Sequence, residues 1–167
     1  YEYVQDKFKP IERLREVEFT RDWGLPLVLT PATENIIRAS AQLKDKNSNS
    51  LAYQVTNYNR SDNYNGVQNS VLQNMNVKGW QFNNQFFITN FKTLDSKGYF
   101  LRPVFDLSKQ LNKIAGLRFG VRYALEQNET KNGETDSLTF NSFSFDTYSV
   151  YLQSDQKKKN KYGLTFF

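Results

Sequence analysis

The sequence predicts an all-β fold of antiparallel up-and-down hairpins, as part of a transmembrane β-barrel, with a soluble β-sandwich as the alternative. Three observations predict it. Aromatic residues make up 16% of the 167 residues, with ten Tyr and fourteen Phe against one Met, a bias toward strands. From Gly116 to Leu125 the chain alternates without a break. Leu117, Phe119, Val121, Tyr123 and Leu125 fall on one face of a strand, and Gly116, Arg118, Gly120, Arg122 and Ala124 on the other. A helix would scatter these residues around its axis and bury an arginine. Finally, turn-forming clusters recur about every twenty residues, wider than the spacing of about 8–12 in a small sandwich.

Residues 1–33 read as an irregular segment with a short helical stretch over 11–17, which Pro10 would open. Residues 34–167 read as one antiparallel hairpin domain. Strand 34–44 sets Ile37, Ala39, Ala41 and Leu43 against Arg38, Ser40 and Gln42, and a polar turn follows from Asp45 to Ser50. Strand 51–60 sets Leu51, Tyr53 and Val55 against Ala52, Gln54 and Thr56. Strand 67–77 carries Val67, Val71, Met75 and Val77 on one face, and Lys78 with Gly79 makes a tight turn. Strand 80–91 is rich in Phe and Asn. Strand 98–108 sets Tyr99, Leu101, Phe105 and Leu107 against Arg102 and Asp106. Its Pro103 cannot donate to a ladder, so an edge position, a bulge or a misplaced boundary is expected. Strand 115–127 precedes a polar loop over 128–136. Strand 137–153 places Phe143 and Phe145 on one face and Tyr148, Val150 and Leu152 on the other, which predicts a bulge near Asp146. An eighth strand begins at Tyr162. The chain opens on Tyr1 without Met and stops at Phe167 partway along that strand, so both ends are expected to be cuts from a longer protein.

The choice between barrel and sandwich rests on the polar faces. They carry Arg, Gln, Asn, Ser and Thr, as a wet interior requires. Tyr58, Trp80, Tyr99, Tyr151 and Tyr162 fall near strand ends, where an interfacial girdle belongs. The connections run up and down without long crossovers. In favour of a soluble sheet stand a mean hydropathy of −0.70 and the Asn and Gln of strands 67–77 and 80–91. In the barrel, Arg38, Arg102, Arg118, Arg122 and Glu126 face the lumen and Leu117, Phe119, Val121, Tyr123 and Leu125 face lipid.

The Asn- and Tyr-rich hairpins from Glu34 to Phe167 resemble a stretch of a large Gram-negative outer-membrane β-barrel protein. Val17 to Trp23 resembles a junction seen ahead of the strands in some members. Phe167, with Phe166, Leu164 and Tyr162, partly resembles an aromatic-ended last strand, with its phase off by one. The resemblance implies the outer membrane, with the periplasm or cell surface as alternatives. It also implies membrane lipid and the rest of a larger barrel, or other envelope proteins, as partners. It implies a role in transport, secretion, assembly or anchoring.

Chemistry is sparse. There is no Cys and no His, which removes thiolate chemistry, the nucleophilic triads and histidine metal ligands. No cofactor, metal or catalytic residue is expected. Asp106, Glu126, Glu129 and Asp146 are the carboxylates that paired acid–base work would need, and no spacing joins two of them. The four arginines suit anions in a lumen, or ion pairs with Asp106 and Glu126. Trp80, Tyr53, Tyr58 and Tyr64 could stack on sugars, or serve in a girdle. The net charge of +5 reads as a solvated lysine-rich surface, and the Asn-rich middle is too poor in Lys and Arg for nucleic acid. Asn59 to Ser61, Asn128 to Thr130 and Asp136 to Leu138 match short glycosylation patterns and read as loop residues.

Overall fold

The computed structural model describes residues 2–4, 22–25, 32–111, 116–139, 142–154 and 163–167. The expected helical stretch over 11–17, and Tyr162, lie outside them. Nine strands form one sheet in chain order, each antiparallel to the last. They are β1 (Glu2–Val4), β2 (Glu34–Lys44), β3 (Ser50–Arg60), β4 (Asn65–Val77), β5 (Trp80–Lys92), β6 (Ser96–Leu111), β7 (Leu117–Asn132), β8 (Phe143–Ser154) and β9 (Gly163–Phe166). The up-and-down hairpins expected from the alternation are therefore present. No second sheet lies among the described residues.

Local chemistry makes the turns. The Asp45 carboxylate accepts the Asn47 and Asn49 amide N–H groups at 2.7 and 2.9 Å and the Asn49 side-chain amide at 2.6 Å. Partial desolvation acts to raise the Asp45 carboxyl, but the Asn49 and Asn47 donors outweigh it and hold the group below its usual range. Lys78 and Gly79 have φ of 51° and 82°, the two left-handed residues of a type I′ hairpin turn.

Several expectations need correction. Pro103 sits neither at an edge nor in a bulge, because β6 is paired on both sides in one register before and after it. The ladder to β7 lapses at Arg102 and Pro103, while Pro103 remains opposite Phe86 on the β5 side, so the missing N–H falls in a local gap. No bulge occurs near Asp146, since β7 and β8 pair continuously from Leu117 opposite Ser154 to Asn128 opposite Phe143. The change of face is real. Asp146 and Ser144 share a face with Tyr148, and Phe143 and Phe145 turn to the other side, where Phe143 meets Phe100 at 6.4 Å between ring centres. β7 continues to Asn132 and β8 starts only at Phe143, so Asn128, Glu129 and Thr130 are strand residues, not loop. Asn59 and Arg60 likewise close β3. Backbone pairing carries the strands past the apolar pattern. The N-terminal segment also contributes β1, which pairs with β2.

Because paired residues share a face, the registers sort every strand onto two surfaces. The apolar rows Ile37–Leu43, Leu51–Val55, Val67–Val77, Leu101–Leu111, Leu117–Leu125 and Tyr148–Leu152 all fall on one of them. Most burial lies on the other face. Thr56, Ser70, Thr89 and Ser108 are buried there, with Thr89 and Ser108 at 0% and 1% exposure. This more covered side is termed the inner face. Trp23 and Leu25 cover the same face and join Ile36, Tyr58, Tyr64 and Phe91 in a core.

Candidate functional site

The inner face is mixed: it is buried around Trp23 and exposed at Arg38, Leu72, Gln85, Arg122 and Phe145. At one end Arg60 holds Asp62 at 2.9 Å and lies 3.9 Å from Glu34, its cross-strand partner. Both Arg60 and Glu34 are buried. Beside them Trp23 meets Tyr58 edge-on at 5.2 Å, Tyr58 meets Tyr64 at 5.3 Å, and Tyr64 stacks on Phe91 at 6.4 Å. The Tyr64 hydroxyl donates to the Trp23 carbonyl, and burial raises its pKa far above the phenol range. This cluster fastens the segment around Trp23 to the sheet.

Further along, Arg102 donates from Nε to Glu126 at 3.1 Å and lies 3.9 Å from Asp22. Arg122 stands opposite Asp106 and Ser149, and Arg118 opposite Gln110 and Gln153. Arg38 shares the face but stands opposite Thr56 on β3, strands away from the others. The five candidates thus occupy one face without forming one ring. Tyr151 crosses the face above Gly120, its partner on β7, and donates to Asp106 on β6 at 2.8 Å. A Cβ on Gly120 would stand 2.2 Å from the Tyr151 ring, so only glycine admits this crossing.

The four candidate carboxylates are split. Asp106 and Glu126 lie on the inner face, and Glu129 and Asp146 on the opposite one. Glu129 accepts the Tyr99 hydroxyl at 3.1 Å and pairs with Lys131 at 3.1 Å. Among the described residues no cluster of three or more His, Cys, Asp or Glu could hold a metal ion.

The opposite face is open and apolar. Phe105, Phe119, Val121, Tyr148, Val150 and Phe166 are all exposed on it, and Leu117, Tyr123 and Leu125 are half-covered by neighbours in the sheet. Its polar members bond to one another within the sheet. Tyr53 donates to Asn69 at 2.6 Å, and the Asn84 side-chain amide donates to Gln73 at 2.7 Å. Asn84 also accepts the Asp106 backbone N–H, at 3.2 Å. Beyond Leu101 and Leu125 the surface turns polar, through Asn90, Lys97, Tyr99, Glu129 and Lys131. At the other limit lie Trp80 and Lys109, with the ammonium 4.7 Å from the ring centre.

Two aromatic expectations fail. Tyr58 is wholly buried on the inner face and Tyr151 crosses the same face, so neither belongs to an outward girdle. Tyr58 and Tyr64 are packed within the core, which leaves Trp80 and Tyr53 as the accessible rings of the four offered for stacking. Sequence reasoning missed the Glu34–Arg60 pair and the Trp23 anchor. The former was within reach, because closing the turn at Asp45 sets Glu34 opposite Arg60. The latter had no period to mark it. Comparison with family models, with characterised proteins and with solved structures gives no match.

Proposed function

We propose that this chain is a bilayer-spanning segment of an outer-membrane β-barrel, with a transport, secretion or scaffold role and no catalytic activity of its own. Membrane lipid covers the open face, and the rest of a larger barrel or other envelope proteins extend the sheet. The single observation that carries the proposal is the continuous exposure of large apolar side chains on the open face, while the buried apolar core of Trp23, Ile36, Tyr58, Tyr64 and Phe91 lies on the other. An apolar surface of that extent marks a site of interaction with another apolar phase.

Two further features support it. From Leu101 to Leu107 the band spans roughly 20 Å of strand at about 3.4 Å per residue, or about 16 Å of height at a tilt near 40°. Trp80 and Tyr99 flank it, as interfacial rings flank the apolar belt of such barrels. The pairing of Tyr53 with Asn69, and of Asn84 with Gln73, meets the need for internal hydrogen-bond partners where water is absent. In this reading Leu117, Phe119, Val121, Tyr123 and Leu125 touch acyl chains. Arg102, Arg118, Arg122 and Glu126 line the interior, with Arg38 on its far wall.

The second reading is a soluble domain of the periplasm or cell surface that binds carbohydrate or protein. The mean hydropathy of −0.70 favours it. It needs a second protein layer over Phe119 and Val121. Refolding separates the two. The chain is expected to acquire β-sheet circular dichroism and protease resistance only with detergent micelles or phosphatidylcholine vesicles. A folded, water-soluble monomer without either overturns the proposal.

A further inference from the structure

The end of the sheet that carries the β4–β5 turn differs in charge from the other. At the far end, cations meet anions directly: Arg60 with Asp62, Lys97 with Asp136 at 2.9 Å, and Lys131 with Glu129. The turn end carries Lys44, Lys46, Lys78 and Lys109, of which Lys78 and Lys109 line one groove, and Asp45 is the one carboxylate in the described turns there. That carboxylate is already occupied by the amides of its own turn. Neither Lys78 nor Lys109 has an ion-pair partner among the described residues.

The turn itself is unusual. A type I′ turn takes Asn, Asp or Gly at its first central position, because those residues tolerate positive φ. Here a lysine holds φ of 51° at that position. A strained choice that places a cation at a tip is a pointer to function. Beside it, Lys109 lies over the Trp80 ring, and Met75, Val77 and Phe82 line an apolar groove that runs from this cationic rim. The groove is continuous with the open face.

We propose that Lys78, Trp80 and Lys109 form a binding site for the anionic, phosphate-bearing headgroup of a membrane lipid, whose acyl chain lies in the groove of Met75, Val77 and Phe82. The assignment rests on the bilayer reading above and adds the lipid class and the level at which the sheet meets the headgroups. Two ammonium groups supply charge complementarity, the indole sits at the depth where amphipathic rings gather, and the groove takes the apolar tail.

The test uses the full chain in phosphatidylcholine vesicles containing phosphatidylglycerol, with bromine placed on one lipid or the other. The reported signal is the fluorescence lost in the Trp80→Phe variant. Brominated phosphatidylglycerol is expected to quench that signal several-fold more effectively than brominated phosphatidylcholine at equal mole fraction. The preference should fall by about half for each lysine removed, in Lys109→Gln and in Lys78→Asn, and reach parity when both are removed. It should also shrink with added salt. Lys78→Asn is expected to be more resistant to urea than the parent, because asparagine accepts the left-handed position, so lost preference cannot be blamed on misfolding. Equal quenching by both lipids in inserted protein overturns the site and leaves the bilayer reading standing. No quenching by either overturns the bilayer reading itself. Loss of the preference on addition of millimolar inorganic phosphate overturns the lipid assignment in favour of a soluble phosphate ligand.

Discussion

Replacing Val121 with arginine separates lipid from water more sharply than any other single change. Val121 is 40% exposed, stands between Leu107 and Val150 on its neighbouring strands, and lies midway between Leu117 and Leu125. Four residues of strand on either side amount to about 13 Å, or roughly 10 Å of depth at a 40° tilt. If the face meets lipid, a guanidinium there drags water or headgroups into the apolar belt. The cost at mid-depth is about 2–4 kcal/mol, or roughly 30- to 900-fold in the folding equilibrium. At the belt edges, in Leu117→Arg and Leu125→Arg, it falls to about 0–1 kcal/mol. If the face meets water, the arginine extends along the sheet, and Val121→Arg changes stability by no more than about 0.5 kcal/mol. The assay is urea-titrated folding in phosphatidylcholine vesicles, read by circular dichroism across the three variants. A flat profile, with the centre no worse than the edges, refutes the reasoning.

Three other outcomes are expected. Gly120→Ala should drive the Tyr151 ring away from Asp106 and cost about 1–3 kcal/mol in the same urea titration; an unchanged midpoint would show that the ring yields freely. Trp23→Ala should remove the edge-on contact with Tyr58 from a buried cluster, cost about 3–5 kcal/mol, and speed proteolysis ahead of Glu34; unchanged proteolysis would show that the anchor lies elsewhere. The Lys97 ammonium, by hydrogen bond and then by charge, holds the Asp136 carboxyl below its ordinary 3.8. Its contribution is therefore present above the unfolded value and lost as pH falls through the depressed one, so amide exchange in residues 133–139 should quicken only below about pH 3.8. Quickening between pH 7 and 5 would assign the loop's order to another group.

Which residues share a face was legible because strand geometry is local. Tyr148, Val150 and Leu152 alternate with Ser149 and Tyr151 whatever lies across the sheet. The same rule sets Arg118, Arg122 and Glu126 on one side of β7, and the β6–β7 register brings Arg102 to that side. Long-range pairing was not legible. The inward turn of Phe143 and Phe145 looks like a slipped register in sequence, but it answers Phe100 on another strand. Pro103 looks like a defect until both neighbours of β6 are known. Tyr58 and Tyr151 have the composition of a girdle, and only their parity relative to Gly66 and Gly120 turns them inward. The Trp23 anchor joins residues 41 apart at Tyr64, through a segment with no period for a local rule to read.

The chemistry of the open face constrains what can cover it. Exposed Phe105, Phe119, Val150 and Phe166 form a surface too continuous to be the scattered apolar residues of an ordinary exterior. A second sheet in contact with it would bring its own side chains into the gaps, and Asn69 and Asn84 would be natural donors and acceptors across that interface. Instead they are bonded to Tyr53 and Gln73 within their own sheet. Groups that find hydrogen bonds within their own sheet depend less on a neighbour that offers some. In the bilayer reading the neighbour is acyl chain, which offers no hydrogen bond. The same reasoning explains why the polar groups of the inner face reach toward one another across strands, as Tyr151 does to Asp106 and Arg102 to Glu126. In the bilayer reading water reaches that side and tolerates a charge there, whereas lipid at Val121 would not.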